Sequence, residues 1–337
     1  MSERFADLSR IIFSEYEDIG KLAIFFFSPL QNKKLREEMG VSSEGPIHPF
    51  STNDFYMFMT KIDKDYEKKI YKIKKVLSLM EQASILTYEG QSSSAMMGKC
   101  YYAFKELSEL QSRNLLWLGE AFGFPYLHNK ICANVVHITG HARNGRIGNG
   151  TGFLINDNTV LTCRHVVTEM TPDEKLLIEG KEYAYSVQTH KQYDIALLVL
   201  NGTVDSVKTF PAFSDARTLD EVIIMGYPPI PGSDNDYLLS QKGEVNSIVY
   251  DYLSGTNNLV LSSITRPGSS GGPVISKTGY IVGMVTKINY YGKDAEAFKD
   301  INGKNMFPFY MAMQGEDLYN GIKEIDPDAV VFFEDYH

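Results

Sequence analysis

The segment Arg266 to Ser276, RPGSSGGPVIS, sets a serine between glycines directly ahead of an apolar run. Two readings fit it. Gly, Ser and Pro are the residues of turns, so the segment is a plain loop on one reading. On the other it is a strained corner that exposes the hydroxyl of Ser270 as a nucleophile. A serine hydroxyl is a weak nucleophile alone. It needs a general base, usually histidine, oriented by a third group. Of the seven histidines, His165 stands out, at the end of GTGFLINDNTVLTCRHVVTEM. The strand-like run VLTC would carry it to the edge of a β core. His137 and His141 have the i, i+4 spacing of a helical metal pair. They lie in a strand-like run instead, so no metal and no cofactor are expected. His48, His128, His190 and His337 have uninformative surroundings. The orienting carboxylate belongs beside an apolar strand, where burial is costly without a partner. Asp194 in QYDIALLVL has that position; the alternative is a strand-start aspartate in solvent.

GSSGG at 268–272 also satisfies the G-x-S-x-G elbow, which needs a helix after the serine and a histidine later in the chain. Pro273 and a β-prone run follow instead, and the only later histidine is His337. The elbow therefore fails on context. The order His165, Asp194, Ser270 is that of chymotrypsin.

The elements that must position these groups differ between the two parts of the chain. Residues 1–125 read as a mostly helical domain. From Tyr66, apolar residues recur at Ile70, Ile73, Leu77 and Met80, one face of a helix. Lys68, Lys69, Lys72 and Lys75 lie largely off that face. KKLREEMG reads as a further helix, and ILTYEG as a short strand. SSSAMMGKCYYAFKELSELQSRNLLWLGEAF reads as one long helix capped by Ser93 or Ser94. This order fits either a winged helix-turn-helix or a plain bundle. Pro125 and Gly123 in FGFPYLHNK suit a boundary, giving a second domain over 126–337. From about Ile131 the period changes. Short runs rich in Val and Ile alternate with Gly, Asn, Asp and Pro clusters, the pattern of an all-β sandwich or barrel. GNGTG at 148–152 precedes a strand rather than a helix, so it is a turn and not a dinucleotide fingerprint.

Composition narrows the class. The net charge of −9 falls wholly on residues 131–337, which hold 16 basic and 25 acidic residues against 17 of each in 1–130. That argues against nucleic acid as a partner of the second domain. Three cysteines without close spacing make neither a disulfide framework nor a zinc site. The N-terminus lacks the pattern of a secretory signal. LAIFFFSPL is about half the length that spans a bilayer. The expectation is a reduced, cytoplasmic protein that does not engage a membrane.

Together these segments resemble the trypsin-like, chymotrypsin-fold serine proteases, and most of all the bacterial HtrA/Deg branch. GTGFLI…TVLTCRHVV resembles that branch's Gly-x-Gly-Phe strand and histidine strand, and YDIALLVL its aspartate segment. EVIIMGYP, RPGSSGGPVIS, GYIVGMVT and FPFYMAM resemble its Gly-x-Pro turn, nucleophile loop, following strand and last barrel strand. The similarity covers roughly residues 131–325. It implies a two-β-barrel protease domain behind an unrelated helical domain, an α+β multidomain chain without a PDZ domain. It implies that Ser270 attacks the scissile carbonyl, that His165 moves the proton, and that Asp194 holds the imidazole. The backbone N–H groups of Gly268 and Ser270 would then form the oxyanion hole. Ile264, six residues before the nucleophile, would line the S1 pocket and admit an aliphatic P1 residue. Cys163 reads either as a redox-sensitive thiol or as a small core residue; along an extended strand it would share a side with His165.

The function these readings imply is a cytosolic serine endopeptidase acting on protein substrates, with residues 1–125 binding a regulatory protein partner. By analogy it serves bacterial stress or antiviral defence. The alternatives are a DNA-linked regulator, and a non-catalytic binding protein that uses the barrel as a scaffold.

Overall fold

The structure is a computed structural model and describes residues 13–40, 47–93, 97–142, 145–252, 254–286 and 310–335. Ser94 and His337, both singled out in the sequence, lie outside them. The chain divides into two compact units, 1–126 and 127–337.

In the N-terminal unit, α1 (Phe13–Phe27), α2 (Asn32–Met39), β1 (Phe50–Ser51), α3 (Thr52–Ile62) and α4 (Ile70–Gln82) lead to β2 (Thr87–Gln91) and β3 (Lys99–Tyr102). Short helices follow: α5 (Glu109–Asn114), α6 (Gly119–Phe122) and α7 (Phe124–Ile131), within which the two units divide. Local signals set the ends. Ser51 and Asp54 form a reciprocal capping box that starts α3, which satisfies N–H groups no helix can pair internally. Gly40 closes α2 in the left-handed conformation at φ 72°, where glycine has no steric penalty. Ile73, Val76, Leu77 and Met80 bury the expected face of α4. That helix starts at Ile70, because residues 64–68 form a tighter 3-10 turn. The core is aromatic: the Phe26 ring lies 4.6–5.3 Å from those of Phe27, Phe50, Phe55 and Phe58.

The strands pair in the order β1-β3-β2, so a plain helical bundle does not describe this unit. The expected long helix after Ser93 is replaced by β3 and three short helices. Cys100 and Tyr101 are buried in β3, which hydrogen-bonds to a strand on each side. Leu115 then takes a left-handed conformation and ends α5. Tertiary pairing overrode a helix propensity worth only tenths of a kcal/mol per residue, about 0–0.7.

The second unit is built of β-strands from Val135 on. A seven-stranded antiparallel sheet has the order β7-β4-β5-β6-β10-β9-β8. Its strands are β4 (Val135–Ala142), β5 (Ile147–Leu154), β6 (Thr159–Thr162), β7 (Met170–Pro172), β8 (Lys175–Ile178), β9 (Lys181–Thr189) and β10 (Ala196–Leu200). A one-and-a-half-turn helix, α8 (Arg164–Glu169), separates β6 from β7. A closed six-stranded barrel, β11-β12-β13-β16-β15-β14, follows. It comprises β11 (Glu221–Gly226), β12 (Leu239–Asp251), β13 (Thr256–Leu261), β14 (Pro273–Ser276), β15 (Ile281–Val285) and β16 (Tyr310–Gln314), and α9 (Gly315–Ile325) comes after it. Closure removes the exposed strand edges that otherwise template aggregation. The first half is thus a curled sheet and the second a closed barrel. Continuous burial of β6, β14 and β15 explains why those segments read as apolar runs rather than as alternating ones.

The aromatic cluster yields a measurable expectation. Phe26→Ala should destabilise the N-terminal unit by about 3–5 kcal/mol, the usual cost of emptying a buried phenylalanine site. The chain's single tryptophan, Trp117, is buried in this unit. Its fluorescence in a urea titration reads the effect; an unchanged midpoint refutes the packing argument.

Candidate active site

His165 does not ride on a strand. It is the second residue of α8, and Cys163 is that helix's N-cap, with no hydrogen bond from its side chain to the helix. The first N–H groups of a helix lack internal partners. Asp194, in the loop between β9 and β10, supplies what the cysteine does not: its Oδ1 accepts the His165 backbone N–H at 2.9 Å. Its Oδ2 lies 2.7 Å from His165 Nδ1. One carboxylate thereby caps the helix and orients the imidazole, leaving Nε2 as the free ring atom.

Thr286, directly after β15, donates its hydroxyl to the same Oδ2 at 2.8 Å. The sequence reading missed this residue, since a threonine after an apolar strand carries no local signal. Burial by itself raises the Asp194 pKa. The His165 side chain and its charge, the His165 backbone N–H and the Thr286 hydroxyl outweigh that effect and bring the carboxyl down to about 2. The loop holding Asp194 is braced in turn. Arg164 donates to the carbonyls of His190 and Lys191. His190 Nδ1 accepts the N–H groups of Gln192 and Tyr193, while Nε2 faces Glu324. His190, uninformative in the sequence, is therefore a buried strut of the aspartate loop.

The serine loop consists of two consecutive turns. Ser269 N–H donates to Arg266 C=O at 2.8 Å, and Gly272 N–H to Ser269 C=O at 2.9 Å. Gly268 and Gly271, third in their turns, have φ of +96° and +85°, and Pro267 is second in the first. This is the type II pattern, which requires positive φ at its third position. A Cβ on Gly271 would lie 2.0 Å from Thr151 O and 2.4 Å from Thr162 Oγ1, so only glycine fits there. Ser269 is buried, and its hydroxyl accepts the Arg266 N–H. Among the described residues, the N–H groups of Gly268 and Ser270 have no protein acceptor.

Ser270 and the His165–Asp194 pair converge on the end of β15. Val285 C=O accepts both Gly271 N–H at 2.8 Å and the Cys163 thiol at 3.2 Å. Cys163 precedes His165 by two residues, and Thr286 follows Val285. No hydrogen bond joins Ser270 Oγ to His165; such bonds are often long or poorly aligned outside the substrate complex.

Cys163 has no exposure. Its route to the site differs from the expected one, because a helix rather than an extended strand separates it from His165. Its thiol, His165 and Asp194 offer ligand atoms within 4.8 Å of one another, the kind of grouping that could hold a metal ion. Burial and the Asp194 charge push the thiol pKa well up, which keeps it protonated, and the other two groups are committed to each other. His137, one of the two strand histidines at i, i+4 spacing, hydrogen-bonds to Asn149 and stacks on Tyr227. Its spacing partner His141 is exposed. Ile264 is 47% exposed, and its carbonyl accepts from Gln241.

Residues 150–284 match the family model of the trypsin-like peptidase domain. The chain thus carries a trypsin-like peptidase domain and is a serine endopeptidase, a hydrolase of peptide bonds. Among solved structures it is similar to the Rv3671c protease from M. tuberculosis in its active form, at 19% identity and a TM-score of 0.45, covering 59% of this chain and 84% of that one. It is also similar to the HtrA-type protease AlgW with tripeptide, at 15% identity and a TM-score of 0.47, covering 60% and 64%.

The depressed Asp194 pKa has a pH signature. The folded form binds this proton less tightly than the unfolded chain does. The resulting stabilisation, about 2 kcal/mol, is complete above roughly pH 5 and declines as pH falls toward 2. Asp194→Asn should remove that component, so its stability deficit against wild type shrinks between pH 5 and pH 3. Urea midpoints across that range test it; a deficit independent of pH contradicts the assignment.

Proposed function

We propose that this chain is a cytosolic serine endopeptidase that cleaves protein substrates through an acyl-enzyme formed on Ser270. His165 acts as general base and then general acid, with Asp194 holding its Nδ1–H. The observation that carries the reading is the double engagement of His165 by Asp194, which leaves Nε2 free. The oxyanion of the tetrahedral intermediate is assigned to the N–H groups of Gly268 and Ser270. Each such donor is commonly worth about 10²–10³ in rate. His165 itself, and to a smaller extent the hydroxyl of Thr286, keep the aspartate ionised while the imidazolium forms. No described helix is long and apolar enough to cross a membrane.

Ile264 supports a preference for an aliphatic P1 residue, because a substrate lysine or arginine would meet no counter-charge from that side chain. Residues 1–125 are assigned the control of activity. A partner protein that binds one arrangement of the domain better than another shifts the enzyme by that differential affinity. The wider role proposed, by analogy, is in bacterial stress or antiviral defence.

A DNA-linked regulator is a second reading. The helix and strand order of the N-terminal unit, with β1 against β3, is compatible with a winged helix, and Tyr71 and Lys75 on α4 are exposed. Salt-dependent retardation of DNA by the full chain would favour it; none would count against it.

Ser270→Ala should abolish peptide hydrolysis while leaving the thermal melt unchanged, and an organophosphonate should label Ser270 alone. Cleavage sites compared between wild type and Ser270→Ala should show Val, Ala or Leu at P1. Hydrolysis by Ser270→Ala at the wild-type rate removes the mechanism, and a profile dominated by Lys or Arg removes the pocket assignment.

Control by the N-terminal domain predicts that the folded 126–337 fragment hydrolyses peptide at a different rate from the full chain. Equal rates under every condition, with and without added partners, would leave residues 1–125 as a localisation or capture module.

A further inference from the structure

Thr151, on β5, makes four hydrogen bonds with no exposure to solvent. Its backbone N–H donates to Ser270 C=O at 2.9 Å. Its hydroxyl donates to Gly268 C=O at 2.7 Å and accepts the Tyr227 N–H at 2.9 Å. Its carbonyl accepts the Thr162 hydroxyl at 2.6 Å. One residue of the curled sheet therefore grips the barrel's serine loop at two carbonyls, those of Gly268 and Ser270. The intervening Ser269 carbonyl is held by Gly272 N–H. All three carbonyls are thus hydrogen-bonded, which restrains the three peptide planes between residues 268 and 271. The direction of the Ser270 N–H follows from this anchoring, because that N–H shares a peptide plane with the Ser269 carbonyl.

The hydroxyl is specific in what it does. It ties Gly268 in the serine loop to Tyr227 after β11, two segments that must stay in register. Gly268 has little room to respond by shifting, since a Cβ there would lie 2.7 Å from Tyr227 O. A hydroxyl, acting as donor and acceptor at once, suits this junction.

We propose that the Thr151 hydroxyl is a positioning group for catalysis, which holds the serine loop so that the Ser270 N–H and hydroxyl are oriented before substrate arrives. The proposal rests on the triad reading above. Thr151 touches neither substrate nor the reacting atoms; it acts through the loop it holds. Preorganised donors are effective because no reorientation is needed at the moment of reaction. Loosening the latch therefore penalises the transition state more than the bound substrate, which lowers kcat and leaves KM nearly unchanged.

The test uses the full chain, a peptide that the wild type cleaves, and a peptide boronate of the same sequence, which forms a tetrahedral adduct on the serine. Thr151→Val keeps the shape but removes the hydroxyl. It should lower kcat by about 10- to 100-fold, less than complete loss of an oxyanion donor, with KM within about twofold. Boronate affinity should fall in parallel. Thr151→Ser should restore both. Thr151→Cys, a weaker donor of similar size, should lie between, and it serves if Thr151→Val does not fold. Wild-type kcat and boronate affinity in folded Thr151→Val or Thr151→Cys overturn the proposal. So does a loss confined to KM, or failure of serine to rescue, which would make the methyl packing the operative contact. A wild-type chain that neither cleaves peptide nor reacts at Ser270 with an organophosphonate overturns the triad reading itself, a distinct result.

Discussion

Asp194 must stay ionised in a crevice whose burial alone would favour the protonated form. Everything around it serves that requirement. The α8 N-terminus offers an unpaired backbone N–H, the imidazole offers a second donor, and the Thr286 hydroxyl a third. Hydrogen bonds to the charged form of a carboxylate lower its pKa, and here they exceed the desolvation penalty. A protonated Asp194 would neither cap the helix as well nor hold the imidazole tautomer with Nε2 free. Helix capping and the orientation of the imidazole thus depend on the same charge.

The donors come from segments far apart in sequence: α8 follows the curled sheet's third strand, and Thr286 leaves the barrel. The site exists only while the sheet and the barrel keep their register. Several devices hold it. Thr151 grips the serine loop from the sheet side, and Val285 C=O collects Gly271 N–H and the Cys163 thiol from both sides. Gly271 permits the approach, because any side chain there would enter the space of Thr151 and Thr162. Cys163 finds its explanation in the same packing. It is a small buried group behind the histidine, with a protonated thiol that donates to a carbonyl.

The N-terminal unit obeys a different constraint. With only short strands, it gains its cohesion from large side chains: Phe26, Phe27, Phe55, Tyr101, Trp117 and Tyr126 are all nearly inaccessible. Aromatic pairs add stabilisation beyond their area, about 0.5–1.5 kcal/mol each.

The period-two and wholly apolar runs after Ile131 were legible in the residues, because strand burial writes itself into the pattern of Val and Ile. So was the serine loop, since its two positive-φ positions, Gly268 and Gly271, favour glycine. The pairing of His165 with Asp194 was legible through their places beside apolar runs, and the structure brings the two into direct contact. Local pattern was insufficient where partners come from elsewhere. His165 starts a short helix because a distant carboxylate caps it. Residues 99–102 form a strand because β1 and β2 flank them. Thr286, Thr151 and His190 carry no signal of their own, as each matters only through what it meets in space. The closed barrel and the curled sheet were likewise decided by tertiary structure, since closure depends on which strands pair at the ends, and those pairings join residues that local periodicity cannot relate.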